Sequence, residues 1–373
     1  MTRFGSIEMK RFAPVFLIAI FGLASLSCMA VNRTLFGEPP TATPFPPTFT
    51  PLPTSTPTPL PTPTLIPTTT PTPDSCPNGD CITSCLQQLE DLTRSNSTEG
   101  QTRSARKYFV SDKGYTLVTY TIDGDQIIDP VDKAGLPKKF KTYQTDRAAQ
   151  QQIWNYFAAI IPFENRKFLK EYVVFTDGKA NILAAVWQSD QSPEEWVLSV
   201  DIMDAFNPQD LTYTLVHEYG HLLTLNPEQV PPSWEIFDNP DSESIYEQEA
   251  SACPVYFPGE GCPNPDSYLN KFVGKFWGDI YDEWLKIDQI ENKDDHYDAI
   301  ETFYENHTDQ FVTDYAPTSP AEDIAESFSF FILQPKPSGQ TIADQKVLFF
   351  YDFPELVQLR TQMGRRLCNQ LEK

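Results

Sequence analysis

Two histidines and a glutamate stand at a spacing that could carry out hydrolysis with a metal ion. His217, Glu218 and His221 form the pattern H-E-x-x-H. Residues four apart lie on one face of a helix, so the two imidazoles can each offer a nitrogen to one metal ion. The carboxylate beside them can hold a metal-bound water and take its proton, as a general base does. The alternative is that both histidines pack or cap a helix without a metal.

The sequence around this motif predicts a helix. Asn207 is a good N-cap, Pro208 is tolerated in a first turn, and Asp210 complements the helix dipole. Leucines recur downstream at near-helical spacing, which would press one face into a core. Asn226 and Pro227 then end the run.

A glutamate far along the chain is the predicted third ligand. A catalytic zinc ion typically has three protein ligands and one position for water. No histidine follows His221 at the six-residue spacing of a metzincin, so a glutamate from a later helix remains. Ser319 or Thr318 can cap such a helix, and Glu322 and Glu326 fall four apart on it. The first would bind zinc, and the second would accept the other ring N–H of a ligand histidine.

Two alternatives to this assignment stay open. Glu247 or Glu249 is closer in sequence to the motif and could be the third ligand, but neither has a carboxylate four residues later. Glu322 and Glu326 could also form a solvated helix face. The sequence alone leaves these alternatives standing.

These residues together resemble a known family of zinc peptidases, the gluzincins, and within it the lethal-factor-like branch that includes the bacterial Pro-Pro endopeptidases. The resemblance covers roughly residues 207–331 and implies a zincin-like metallopeptidase domain. It does not extend to the segment with Cys253 and Cys262, so it implies no substrate specificity. The matching positions are the H-E-Y-G-H run, Tyr315, Glu322, Ala325, Glu326 and Phe328.

The resemblance implies a role for each of these residues. His217, His221 and Glu322 would bind one Zn²⁺ ion, and Glu218 would be the general base. Tyr315, seven residues before Glu322, would stabilise the oxyanion. The alternative for Tyr315 is a core or surface aromatic residue.

The other two histidines are predicted to be surface residues. They are His296 and His307. A weaker hypothesis places His307 over the site as a second oxyanion donor.

The charge balance limits the partners of the chain. It has 51 acidic and 28 basic residues, which give a formal charge of -23. Nucleic acids and anionic membranes require a basic face, so we expect no nucleic-acid partner. We attribute the negative charge to a solvated acidic surface rather than to binding of a basic substrate. Membrane contact is expected only through the N-terminal leader or a lipid.

The N-terminal segments indicate export. Residues 1–30 join a basic start to a short apolar run, which is typical of a signal peptide or lipoprotein leader. Cys28 is a candidate for lipidation, while ordinary cleavage and an uncleaved anchor stay open. Residues 31–75 form a Pro/Thr-rich extracytoplasmic spacer or a disordered tail. Residues 76–373 are assigned to the metallopeptidase domain, secreted or anchored at the outer face of the membrane.

The remaining cysteines favour disulfides, because they are an even set in an exported chain. Cys253 and Cys262 are predicted to close a local loop, and Cys368 to tie the C-terminal end to the region after the spacer. A metal site in the N-terminal cluster is the alternative. The candidates are Cys76, Cys81, Cys85, Cys253, Cys262 and Cys368.

The order of the predicted elements indicates an α+β fold, with a small mixed or antiparallel sheet followed by a mainly helical part. Strand 196–202 is the candidate edge along which an extended substrate would pair. The predicted strands are 115–122, 171–176, 181–187 and 196–202; the predicted helices are 150–161, 265–290, 296–307, 320–333 and 354–371.

The sequence therefore predicts an exported, membrane-tethered zinc peptidase that acts on a peptide or protein, with zinc-bound water and Glu218 as its base. The alternative function is a catalytically inactive binding or scaffold module of the cell surface on a peptidase fold.

Overall fold

Five strands form a mixed sheet in the computed structural model, which describes residues 85, 89, 114–178, 182–205 and 207–371. Their order is β2-β1-β3-β5-β4. β3 and β5 run parallel, and the other pairs are antiparallel. The sequence did not predict β2. The strands are β1 (Tyr115–Asp123), β2 (Gln126–Asp132), β3 (Leu169–Thr176), β4 (Ala184–Gln188) and β5 (Trp196–Asp201).

Eleven α-helices of the described residues accompany this sheet, and nine of them follow it. The expected α+β order is confirmed. They are α1 (Lys141–Thr145), α2 (Arg147–Ile160), α3 (Pro208–Leu225), α4 (Trp234–Asp238), α5 (Glu243–Ala252), α6 (Tyr268–Phe276), α7 (Tyr281–Asp288), α8 (Lys293–Asn306), α9 (Pro320–Leu333), α10 (Ile342–Phe349) and α11 (Pro354–Leu371).

Three predicted helices differ from the structure in their bounds. The helix expected over 296–307 begins at Lys293, because the Asn292 side chain accepts the N–H of Asp295 at 3.1 Å and caps it. The helix expected over 150–161 begins earlier, at Arg147, because the Asp146 side chain accepts the N–H of Ala149 at 3.0 Å and caps it. The single helix expected over 265–290 is two helices, α6 and α7, separated by a turn that contains Gly278.

β5 lies inside the sheet, so the prediction that strand 196–202 is an edge was wrong. β5 pairs with β3 on one side and β4 on the other, and all six of its residues are buried. Strand order depends on pairing between segments that are distant in the chain, which the order of elements does not reveal. β4 forms this edge of the described sheet instead.

Helices α3 and α9 belong to the interior of the protein. Thirteen of the 18 residues of α3 and 12 of the 14 residues of α9 are buried, so polar side chains on either helix are removed from water and need partners. The sheet joins the same core, since Tyr172 of β3 and Trp154 of α2 pack with ring centroids 5.5 Å apart.

Two disulfides link the described cysteines, as predicted. Cys253 bonds to Cys262 with their Cα atoms 5.5 Å apart, and Cys85 bonds to Cys368 with their Cα atoms 5.7 Å apart. The second pairing uses Cys85, so the alternative metal site that required this thiol was wrong.

Several predictions fall outside the described residues. They concern the leader, the spacer, Cys28, Cys76 and Cys81. Within the described part of the chain, no helix has the length and apolar character that a membrane span requires.

Candidate metal centre

Local signals in the sequence place both helices that carry the site. The side chain of Asn207 accepts the N–H of Gln209 at 3.0 Å, and Pro208 opens α3. The hydroxyl of Ser319 accepts the N–H of Glu322 at 3.1 Å, which caps α9. The predicted cap of α3 is confirmed, and of the two candidates for the cap of α9 the structure uses Ser319.

A glycine lets the two helices approach closely. A Cβ atom at Gly220 of α3 would lie 3.1 Å from the Cα atom of Ala325 of α9. This is tighter than an ordinary van der Waals contact, so a larger residue would push the helices apart. The contact stands one residue before His221 and three after Glu322.

Three candidate ligand atoms converge between these helices. His217 Nε2 and His221 Nε2 are 3.1 Å apart, and Glu322 Oε2 lies 3.1 Å from the first and 3.2 Å from the second. Zinc bonds of about 2.0–2.1 Å in a tetrahedral site put ligand atoms roughly 3.3 Å apart. The three buried or half-buried side chains can therefore hold a metal ion.

The imidazoles and carboxylates of this group shift each other's pKa. Burial alone would lower the pKa of His217, but the carboxylates of Glu322 and Glu326 raise it well above its ordinary value. Burial alone would raise the pKa of Glu322, but the two imidazoles hold it well below its ordinary value. The side chains thus favour a positive charge between them, which a divalent cation supplies.

Glu326 lies beside the imidazole of His217, on the side away from Nε2. Its Oε1 lies 2.7 Å from Nδ1 of the imidazole. Its Oε2 accepts hydrogen bonds from the Tyr213 hydroxyl at 2.8 Å and the Thr313 hydroxyl at 2.5 Å. Sequence reasoning missed both donors. Tyr213 could have been found, since it lies four residues before His217 on the same helix.

Glu218 lies beside the metal group, that is, His217, His221 and Glu322, and its carboxylate contacts the edge strand β4. It is 7 % exposed, and burial raises its pKa above the ordinary value. The backbone N–H of Val186 donates to its carboxylate. The carbonyl of Leu183 accepts the N–H of Asp201 of β5 at 2.8 Å. In an antiparallel pair these bonds alternate along a strand, so the backbone groups of odd-numbered residues of β4 bond to β5. Those of even-numbered residues, including Val186, point to the open edge of the described sheet.

Tyr315 lies next to the site. Its ring centroid is 5.9 Å from that of His217, in the segment that leads into a 3₁₀ turn, Ala316–Thr318. The N–H of Ala316 donates to the Thr313 hydroxyl at 3.2 Å, so the hydrogen bonds of Glu326 reach the segment that holds Tyr315.

The rival third ligands are not part of the metal group. Glu247 and Glu249 lie on α5, in which no residue is buried. Glu322 takes the third position in the group that the structure brings together.

The remaining histidines have other partners. His296 is buried, contrary to the prediction, with Nδ1 3.0 Å from the carbonyl of Ile287. His307 lies with Nε2 3.1 Å from Glu283 and Nδ1 3.1 Å from Gln310, so both ring nitrogens are engaged and the hypothesis of a second oxyanion donor has no support.

A second group of carboxylates was not predicted. Oxygens of Asp177, Asp201 and Asp204 lie within 4.8 Å of one another. Asp201 accepts the backbone N–H of Asp177 at 2.8 Å and of Met203 at 2.6 Å, which fixes the turns after β3 and β5. Burial raises the pKa of Asp201 to about 7 despite these bonds.

Comparison with known proteins gave no match: no family model, no curated protein and no solved structure matches the chain.

Proposed function

We propose that the protein is a zinc-dependent peptidase. The observation that carries this proposal is the convergence of His217 Nε2, His221 Nε2 and Glu322 Oε2 at 3.1–3.2 Å beside the buried carboxylate of Glu218. Two imidazoles and one carboxylate are a common ligand set of catalytic zinc, and they leave one position open. A bound zinc ion supplies a Lewis acid and lowers the pKa of the water that it binds.

Glu218 is the general base in this proposal. Its carboxylate is buried next to the two imidazoles, where it can take a proton from water and pass it to the leaving amine. Its raised pKa suits that exchange. The N–H of Val186 holds the carboxylate in place from the neighbouring strand.

The substrate is a peptide or protein in extended conformation, lying along β4. Val186 faces the edge of the described sheet and gives its N–H to Glu218, so a peptide that pairs with β4 on either side of Val186 would pass the base. Backbone pairing with a strand edge is a common way to bind extended peptides. Tyr315, close to His217, would meet the charge that develops on the attacked carbonyl.

The setting of this activity is proposed to be outside the cytoplasm, with a leader at residues 1–30 and a spacer at residues 31–75. Two disulfides support an oxidising compartment. Whether the leader is cleaved or lipidated does not change the proposed chemistry.

Substitution of Glu218 by Gln tests the proposal. We expect the purified wild type to hold one zinc ion, measured by metal analysis, and to cleave members of a peptide library. Glu218→Gln should retain zinc and fold but lose about 10²–10⁴-fold in cleavage rate, the range that general-base catalysis contributes. Glu247→Gln, a carboxylate outside the metal group, is the matched control and should cleave like the wild type.

Other outcomes would separate the two candidate functions. A wild type without stoichiometric zinc would overturn the proposal. A zinc-loaded wild type that cleaves no peptide would favour the alternative, an inactive binding or scaffold module on this fold.

A further inference from the structure

An ion pair is completely buried beside the third metal ligand. Lys346 of α10 places its Nζ atom 2.6 Å from Oδ2 of Asp323, and both side chains are 0 % exposed. Asp323 directly follows Glu322 in α9.

The pair is enclosed by aromatic rings and joined to a third element. Trp277, just after α6, donates its indole N–H to Oδ2 of Asp323 at 2.8 Å. The Lys346 ammonium lies 4.1 Å from the ring centroid of Phe311 and 5.6 Å from that of Trp277. The carboxylate of α9 is thus held from α10 and from the turn after α6.

Stability alone does not explain this arrangement. Removal of two charges from water is costly, and well-packed apolar residues of similar volume are often at least as stabilising. The ammonium of Lys346, however, meets the same oxygen of Asp323 as the indole N–H of Trp277, and the hydrogen bond from that indole depends on direction, whereas an apolar contact tolerates rotation and sliding. What the pair contributes beyond an apolar contact is orientation of the helix that bears it.

The helix geometry shows what this orientation controls. Glu322 and Glu326 share the face of α9 that meets α3, while Asp323 is turned by about 100° from Glu322 and faces the other side. A rotation of α9 about its axis would move the carboxylate of Glu322 away from the two histidines. Metal ligands tolerate displacements of only about 0.5 Å.

We propose that Asp323 and Lys346 are positioning residues for Glu322, which lock the rotation of α9 so that its carboxylate meets the two histidines. This inference rests on the proposed zinc site. It assigns to the pair a role in metal affinity that is separable from its role in folding.

Removal of both charges together tests the proposal. Lys346→Met alone would leave Asp323 buried without a cation, and that cost by itself can prevent folding. The double variant Asp323→Asn/Lys346→Met removes both charges and keeps an oxygen for Trp277. We expect it to fold, shown by circular dichroism, and to bind zinc about 10-fold or more weakly in competition with a chelating dye, as when a metal site loses an outer partner.

Arg360→Met is the matched control. Arg360 is buried and donates to the carbonyl groups of Phe331, Ile332 and Gln334 at the other end of α9. That end is nine residues, or roughly 14 Å, from Glu322. This variant should melt at a lower temperature than the wild type and bind zinc with the same affinity.

Three other outcomes would contradict the positioning role, and a fourth would contradict the zinc site itself. A folded double variant with wild-type zinc affinity would overturn the positioning role, and so would a double variant that does not fold, since the pair would then serve folding. Equal loss of zinc affinity in Arg360→Met would also count against it. A wild type that binds no zinc would overturn the proposed function as well, which distinguishes the two failures.

Discussion

At the scale of single residues, the site is defined by its hydrogen-bond acceptors. Glu326 has one oxygen at His217 Nδ1 and the other at the hydroxyl groups of Tyr213 and Thr313. An ionised carboxylate can accept from all three donors. In the proposed zinc site, this carboxylate would keep the proton of a neutral His217 on Nδ1 and leave Nε2 for the metal.

Substitution of Glu326 by Gln should weaken metal binding. The amide has one acceptor oxygen, so its NH₂ group would face a donor, either His217 or the two hydroxyls. We expect a loss of about 10–100-fold in zinc affinity, measured by chelator competition. Glu171→Gln is the control, because that carboxylate accepts from Ser189 at 2.7 Å on β3 and should leave zinc affinity unchanged. Unchanged affinity in Glu326→Gln would show that His217 needs no such partner.

The residues of the site differ in how far the sequence could predict them. His217 and His221 were predictable because a helix alone sets their spacing. Thr313 has no such signal, since its contact with Glu326 depends on how a loop folds back over α9.

At the scale of elements, the approach of α3 to α9 determines whether the ligands can meet. A Cβ atom at Gly220 would lie 3.1 Å from Cα and 3.3 Å from Cβ of Ala325. Backbone atoms of a buried helix cannot give way as the end of a long side chain can. The glycine is thus required by packing, although it weakens the helix itself.

Gly220→Ala should destabilise the protein in spite of its better helix propensity. Overpacking against α9 costs about 1–3 kcal/mol, which exceeds the gain in propensity. Gly274→Ala is the matched control, because this glycine is in α6 and its Cβ would meet nothing within 4 Å. It should raise the free energy of unfolding by about 0.5–1 kcal/mol. Urea denaturation measures both, and equal stabilisation of the two variants would contradict the packing argument.

The elements also show where prediction failed. The caps Asn207 and Ser319 act within one helical turn, so the sequence indicated them correctly. The edge position was assigned to the wrong strand, because β4 pairs with the outer side of β5 only in the folded sheet.

At the scale of the whole molecule, acidity and burial act together on stability. The formal charge of -23 disfavours compactness as carboxylates ionise with rising pH. Ionisation of Asp201 also lowers the stability of the folded state as the pH rises. Asp201 is 0 % exposed, and burial raises its pKa to about 7 from 3.8.

Asp201→Asn should flatten the dependence of stability on pH. A carboxyl group whose pKa is raised on folding binds more protons in the folded state, so its stabilisation is complete below about pH 4 and is lost as the pH rises through about 7. The variant lacks this titration, and the unfolding free energy should fall less between pH 4 and 7 than in the wild type. Asp190→Asn, an exposed carboxylate in the β4–β5 turn, is the control. Parallel profiles for Asp201→Asn and the wild type would refute the assignment.

The sequence by itself determined what local chemistry can determine. The i, i+4 spacing of His217 and His221, the caps of their helices and the α+β order of elements follow from interactions within a few residues. The Cys253–Cys262 disulfide was predictable from the short loop between the two cysteines, whereas the parity of the cysteines did not show which cysteine after the spacer would pair with Cys368.

Only the tertiary structure decided the rest. It selected Glu322 over Glu247 and Glu249, made β4 the edge next to Glu218, and buried Lys346 against Asp323. Each of these depends on which distant segments pack together, and such packing is decided by the sum of many weak contacts over the whole core rather than by any short pattern.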